Sequence, residues 1–168
     1  GVSFMPKVAL VMGSKSDWQS LKGCVDVLHG MEIEVEVHVA SAHRTPEKVA
    51  SFAANARENG FEVIIAAAGK AAHLAGVIAG HTTLPVIGIP VKSSFMDGLD
   101  SLLSTVQMPT GIPVATVAVG GGDNAAYLAA QILSIKYPIL TEKLLAHREK
   151  MAHAIEEDDR QIAKECAD

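Results

Sequence analysis

Lys7-Val8-Ala9-Leu10-Val11-Met12-Gly13-Ser14-Lys15-Ser16-Asp17 decides how this chain is read. A short apolar run stops at a glycine and gives way to hydroxyl and charged residues. That is the pattern of a strand buried on both faces that ends in a loop. Helical spacing follows as far as Gly30, which supplies a stop. The unit then recurs. In residues 33–39, Ile33, Val35, Val37 and Val39 alternate with Glu34, Glu36 and His38, which predicts a half-exposed edge strand. Thr45 suits a helix cap and Pro46 a first helical position, with the helix ending near Gly60. Residues 61–67, 85–91 and 113–119 are continuously apolar, as parallel strands covered on both faces must be. Helices are predicted over 72–81, 99–106 and 123–135. Five strand–helix units imply an α/β fold, a three-layer αβα sandwich around a doubly wound five-stranded parallel sheet.

Composition narrows the function classes. In 168 residues, 49 % are hydrophobic and 20 % charged, so one globular domain with a real core is expected over 1–168. Its core spans about 7–135, and a helical extension covers about 138–168. The net charge of -5, without a basic stripe or interleaved aromatics, argues against nucleic-acid binding. A phosphorylated ligand needs only local donors and stays open. Cys24 and Cys166 form no CxxC pattern and read as free thiols of a reducing cytoplasm. No secretory signal pattern is visible, and no apolar run is long enough to span a bilayer. In the extension, Leu140, Leu144, Met151, Ile155 and Ile162 form one apolar stripe. Packing on its own domain would explain it. Packing on a neighbouring subunit is preferred, because the sheet already has its helices.

In open parallel sheets, ligands bind beyond the carboxyl ends of the strands. Those ends are residues 13–17, 41–46, 68–73, 92–97 and 120–124. The first three are rich in small residues and hydroxyls and hold Arg44, His43 and His73. Small residues admit close backbone approach, and Arg and Ser suit phosphate. The segment 13–17 lacks P-loop spacing, and Gly120-Gly121-Gly122 is not GxGxxG and follows the last strand. No HExxH or paired Cys/His spacing points to a metal. Of the seven histidines, His29, His147 and His153 read as solvated on helices, His38 as pointing outward, and His81 as a capping or surface residue. His43 and His73, at strand ends, are the candidates for chemistry.

Four motifs then stand in register: Met12-Gly13-Ser14-Lys15-Ser16-Asp17-Trp18, Ser41-Ala42-His43-Arg44-Thr45-Pro46, Ala71-Ala72-His73-Leu74, and Val106-Gln107-Met108-Pro109-x-Gly111-Ile112-Pro113. Over roughly 8–135, the chain resembles the class I N5-carboxyaminoimidazole ribonucleotide mutases, the phosphoribosylaminoimidazole carboxylase catalytic-subunit family. The resemblance implies a flavodoxin-like fold, an isomerase of purine biosynthesis, a ribonucleotide substrate, no cofactor and no metal, and a homo-octamer. It also implies His43 as acid/base with His73 and Ala72 beside the imidazole of the substrate. Ser14, Ser16, Ser41 and Arg44 would hold phosphate, and Asp17 the ribose. Gly13, Ala42, Gly69, Lys70, Ala71 and Leu74 would complete the binding loops. The small Ala71 and Ala72 would leave room for CO2 and let amides donate to its carboxylate form.

Two departures stand out. The family's usual Gly-Gly-Ala-Ala-His-Leu-Pro-Gly is here Gly69-Lys70-Ala71-Ala72-His73-Leu74-Ala75-Gly76, so Lys70 pays a strain cost if its position needs positive φ. Ala75 replaces the usual proline, which leaves the loop looser, and Gly120-Gly121-Gly122-Asp123-Asn124 also differs from the usual Gly-Lys-Ala-Gly. Two rival readings are a class II carboxylase using free CO2, which resembles Ser-Asn where Ala71-Ala72 stand, and a non-catalytic nucleotide-binding module. The pairing of His43 with Arg44 speaks against the second.

Overall fold

The computed structural model describes residues 5–167. Five strands, β1 (Lys7–Met12), β2 (Glu34–Val39), β3 (Val63–Ala68), β4 (Val86–Pro90) and β5 (Ala115–Thr116), form one sheet in the order β2-β1-β3-β4-β5. Every pairing is parallel, from Lys7 opposite Glu34 to Gly88 opposite Thr116. The order reverses between β1 and β3, which makes this a doubly wound, flavodoxin-like sheet, as the strand–helix alternation requires. The helices are α1 (Trp18–Gly30), α2 (Pro46–Asn55), α3 (Leu74–His81), α4 (Leu99–Val106), α5 (Gly122–Ser134) and α6 (Pro138–Cys166).

Alternate side chains of the buried strands feed two cores. Leu10, Met12, Ile65 and Ile87 pack with Leu21 and Leu28 of α1 and with Ala125, Ala129 and Leu133 of α5. Ala9, Val11, Ile64 and Ala66 pack with Val49 and Ala53 of α2 and with Leu74 and Ile78 of α3. Continuous apolar strands are the consequence of covering both faces. Close approach needs small residues, and Gly88 is the clearest case. A Cβ there would stand 2.5 Å from Thr105 Cγ2 of α4 and 3.0 Å from Val114 Cγ1. That glycine lets α4 lie tight against β4.

The fifth strand is shorter than the apolar run 113–119 suggests. It is a sheet edge with one neighbour, and only Ala115–Thr116 pair regularly, Ala115 being exposed. Beyond them the chain still tracks β4 through single bonds, as the Val117 amide donates to Gly88 O at 3.1 Å and the Gly120 amide to Pro90 O at 2.8 Å. On the opposite edge the expected alternation fades, since Val37 and Val39 are exposed while His38 is half-buried. His38 accepts or donates a 2.7 Å bond with Glu36 and lies 5.1 Å from the Phe52 ring. His147 is also not simply solvated, because it stacks on Tyr127 at 4.4 Å. The last helix splits the predicted stripe: Leu140 is buried and Leu144 packs on the α1/α5 core, while Met151, Ile155 and Ile162 are exposed. At 29 residues this helix is roughly 43 Å long, and it outruns the body it starts from.

Candidate active site

Four strand ends open into one pocket. Its volume is about 670 Å3, and it is lined by Gly13, Ser14, Ser16 and Asp17 after β1, Ser41, Ala42, His43 and Arg44 after β2, and Gly69, Lys70, Ala71, His73 and Leu74 after β3. Of the residues singled out in the sequence, all but Ala72 line it. Ala68, Val91, Lys92, Ser93 and Ser94 join them. The fifth loop stays out of this pocket, with Gly120 on a smaller adjoining hollow that shares Ser16, Asp17, Val91 and Lys92.

The loop after β2 is tied by its own hydroxyls. The Ser41 amide donates to Thr45 Oγ1 at 2.8 Å, and the Arg44 amide to Ser41 Oγ at 3.1 Å. Thr45 does occupy the cap position of α2, yet its hydroxyl makes no cap bond with the helix. It closes the 41–45 turn instead, which holds His43 and Arg44 outward. The Arg44 guanidinium donates to Gly13 O at 3.1 Å and so bridges the first two loops. Ser14 and Ser16 hydroxyls meet at 2.9 Å, and the Ser16 amide donates to Ser14 Oγ. Burial pushes the Asp17 carboxyl above its ordinary value, against a lowering hydrogen bond with the Ser14 backbone.

His43 Nε2 lies 2.9 Å from His73 Nδ1, with the rings edge to face at 86°. Such a contact needs one N–H and one lone pair, so the two rings share a single proton across it. His73 caps α3, and the residues on either side of it, Ala72 and Leu74, are buried. Lys70 has φ 56, so the strain foreseen for a lysine in that position is present. The Ala72 amide is not aimed at a ligand. It donates to Ser104 Oγ of α4 at 2.9 Å, which removes one of the two donors expected for a carboxylate. Arg44, Lys70 and Lys92 line the pocket with one carboxylate, Asp17, Lys92 also pairing with Asp97 outside it at 3.6 Å, in a chain whose net charge is -5. A cationic hollow on an anionic molecule focuses anions toward itself.

The sequence reading passed over Lys92, Ser93, Ser94 and Ser104. The first three stood in the fourth strand-end loop, and position was their one signal. Ser101, Ser104 and Thr105 recur at helical spacing in α4, which marks a polar face, and two of them are buried. A buried polar helix face is a signal that something polar lies opposite.

Comparison with known proteins accords with this arrangement. A protein of Pyrococcus abyssi described as N5-carboxyaminoimidazole ribonucleotide mutase is 58 % identical over 147 residues, 88 % of this chain and 84 % of that one. One of Saccharolobus solfataricus with the same description is 54 % identical over 151 residues, 90 % and 96 % of the two chains. The crystal structure of Treponema denticola PurE superimposes with a TM-score of 0.85 at 31 % identity, covering 93 % of this chain and 98 % of that one. The family model described as AIR carboxylase matches residues 7–154, and the chain belongs to that family.

Proposed function

We propose that this protein is an isomerase of purine biosynthesis that converts N5-carboxyaminoimidazole ribonucleotide into 4-carboxyaminoimidazole ribonucleotide. The observation that carries the proposal is the His43–His73 contact of 2.9 Å inside a hollow walled by Arg44 and hydroxyls. Relatives above 50 % identity, each described by that activity, support it. Arg44 and the serines at 14, 16 and 41 bind the phosphate, where charge-assisted bonds are strongest. Asp17 takes ribose hydroxyls.

The carbamate C–N bond breaks, its electron pair returns to the nitrogen, and His43 supplies the proton that nitrogen needs. The CO2 released stays in the pocket. Carbon 4 of the ring attacks it, so a C–C bond forms and carbon 4 briefly carries both hydrogen and carboxylate. His43 removes that hydrogen as a proton, and the ring regains aromaticity. One proton is given and one recovered, so the scheme balances without metal, cofactor or external CO2. Imidazole suits both duties near neutral pH. His73 fixes which nitrogen of His43 holds the proton, by filling the other half of the hydrogen bond.

The chain works as a single domain, core about 7–135 and helical extension 138–168, in the cytoplasm. Among the described residues no helix is long and apolar enough to cross a membrane. It assembles as a homo-oligomer, with an octamer the size the family resemblance implies. Support comes from exposed Phe95, Met96 and Leu103 near the site and from Met151, Ile155 and Ile162 on α6.

Two assays test the function together. Wild-type protein should turn over the N5 carbamate without ATP or bicarbonate and use aminoimidazole ribonucleotide plus bicarbonate poorly. Efficient use of free CO2 would move it to the carboxylase class. His43→Asn should still bind product while turnover falls at least about a hundredfold. Near-normal turnover in that variant removes His43 from the mechanism.

A further inference from the structure

Three polar residues of α4 reach out of their helix into the two loops on either side of the pocket. Ser101 Oγ, fully buried, lies 2.7 Å from Val91 O and 2.8 Å from Gly98 O. Ser93 Oγ donates to Asp100 Oδ1 at 2.6 Å. Ser104 Oγ accepts the Ala72 amide at 2.9 Å and lies 2.8 Å from Asp100 O, 3.2 Å from Lys70 O and 3.2 Å from Ser101 O. A hydroxyl has one proton, and the nearest acceptor, Asp100 O one helical turn back, is its main recipient. What remains fixed toward the loop is the bond it accepts from Ala72.

We propose that Ser104 is a positioning residue for His73, holding the 69–73 loop so that His73 Nδ1 meets His43 Nε2. The inference rests on the mutase reading only in its kinetic arm. Ala72 is buried, so its amide has no ready substitute partner when Ser104 Oγ is removed. The next residue is His73, whose backbone is fixed on its far side by buried Leu74 and by the Val77 amide donating to His73 O at 2.9 Å. On its near side its own amide donates to Ala71 O at 2.9 Å within the loop, and the Ala72 amide, through Ser104, is the anchor that fastens that loop to α4. Lys70 makes that anchor necessary: a lysine at φ 56 holds the loop in a conformation L side chains disfavour, and the loop relaxes if released. The hydrogen-bond partners of Ser104 Oγ are all backbone atoms, so it acts on the loop through the backbone.

The test compares Ser104→Ala, Ser104→Cys and Ser104→Thr in the full chain. Thr keeps the accepting oxygen, and Cys keeps the shape with a weak acceptor. In Ser104→Ala, kcat should fall about tenfold while KM for the ribonucleotide stays within about twofold, because the phosphate and ribose loops are untouched; small misplacements of reacting groups have effects of this size. Cys should fall between Ala and wild type, and Thr should recover most of kcat. Nitrogen-15 spectra of the histidine rings, recorded without substrate, should show the shared-proton pattern of His43 and His73 in wild type and Thr and its loss in Ala and Cys. If Ala does not fold, Cys decides. A Cys or Ala variant with wild-type kcat and unchanged ring spectra overturns the proposal. If ring spectra respond as expected but no variant or wild type turns over the carbamate, the mutase reading falls and the positioning role stands.

Discussion

Replacing Gly88 by alanine tests whether α4 is seated as tightly as its role requires. The added methyl would stand 2.5 Å from Thr105 Cγ2, 3.0 Å from Val114 Cγ1 and 3.3 Å from Ala75 Cβ. Ordinary carbon–carbon contact begins near 3.5 Å, so α4 or β4 must yield by roughly 1 Å. Overpacking of this kind costs about 2 kcal/mol, and for a chain of this length that lowers Tm by about 4–8 °C. The worst contact is one methyl, which can be deleted. Thr105→Ser removes Cγ2 and keeps the hydroxyl that donates to Ser101 O at 2.7 Å. Alone, that change loses a buried methyl and costs about 1 kcal/mol. Independent effects would sum to about 3 kcal/mol. If the methyls compete for one space, the double variant costs only about 1 kcal/mol, a coupling of about 2 kcal/mol. Urea unfolding at constant slope reads all four proteins. Turnover gives a second measure, since a displaced α4 carries Ser104 with it: Gly88→Ala alone should slow the reaction and the double variant restore it. Additivity within about 0.5 kcal/mol would falsify the packing argument.

Two further predictions concern the pocket. Lys70→Gly relieves a left-handed backbone worth about 1–2 kcal/mol but adds about 0.5–1 kcal/mol of unfolded-state freedom, so a net gain of about 0.5–1 kcal/mol is expected. Turnover should stay within about twofold; a larger loss would mean the ammonium serves the reaction. Asp17 is held above its ordinary value by burial, so its ionised form destabilises the fold at neutral pH and the penalty disappears once pH falls below the unfolded value near 4. Asp17→Asn should therefore raise Tm at pH 7, with the difference closing on acidification, while nucleotide binding weakens. A lower Tm than wild type at pH 7 contradicts the burial argument.

What could be read from the chain depended on whether a residue's neighbours were near in sequence. β1 was legible to the residue, because the five buried positions after Lys7, covered on both faces, leave no alternative pattern. The loops after β1, β2 and β3 were legible as the walls of one pocket, because every parallel strand delivers its carboxyl end to one side of the sheet. β5 was overestimated, since an apolar run records a preference for burial and cannot record that only one neighbouring strand is present. His147 and His38 are more covered than expected for a related reason: Tyr127 and Phe52, the rings they meet, lie on other elements.

The same distinction separates the groups proposed to act from the groups that aim them. His43 and Arg44 are adjacent in one turn, and their short-range hydroxyl ties, Ser41 and Thr45, lie within the same motif. That half of the site comes preassembled by local bonds and could be read locally. His73 has no such local brace. Its loop carries a lysine in a disfavoured conformation, and the hydroxyl that holds it comes from α4, 32 positions after Ala72. α4 is in turn placed by a glycine on β4, where even one methyl would not fit. The 2.9 Å contact between the imidazoles thus joins one ring held by its own motif to one held by the packing of the whole α3–β4–α4 layer. Substitutions in that layer, far from substrate and invisible as motif residues, should alter turnover before they alter binding.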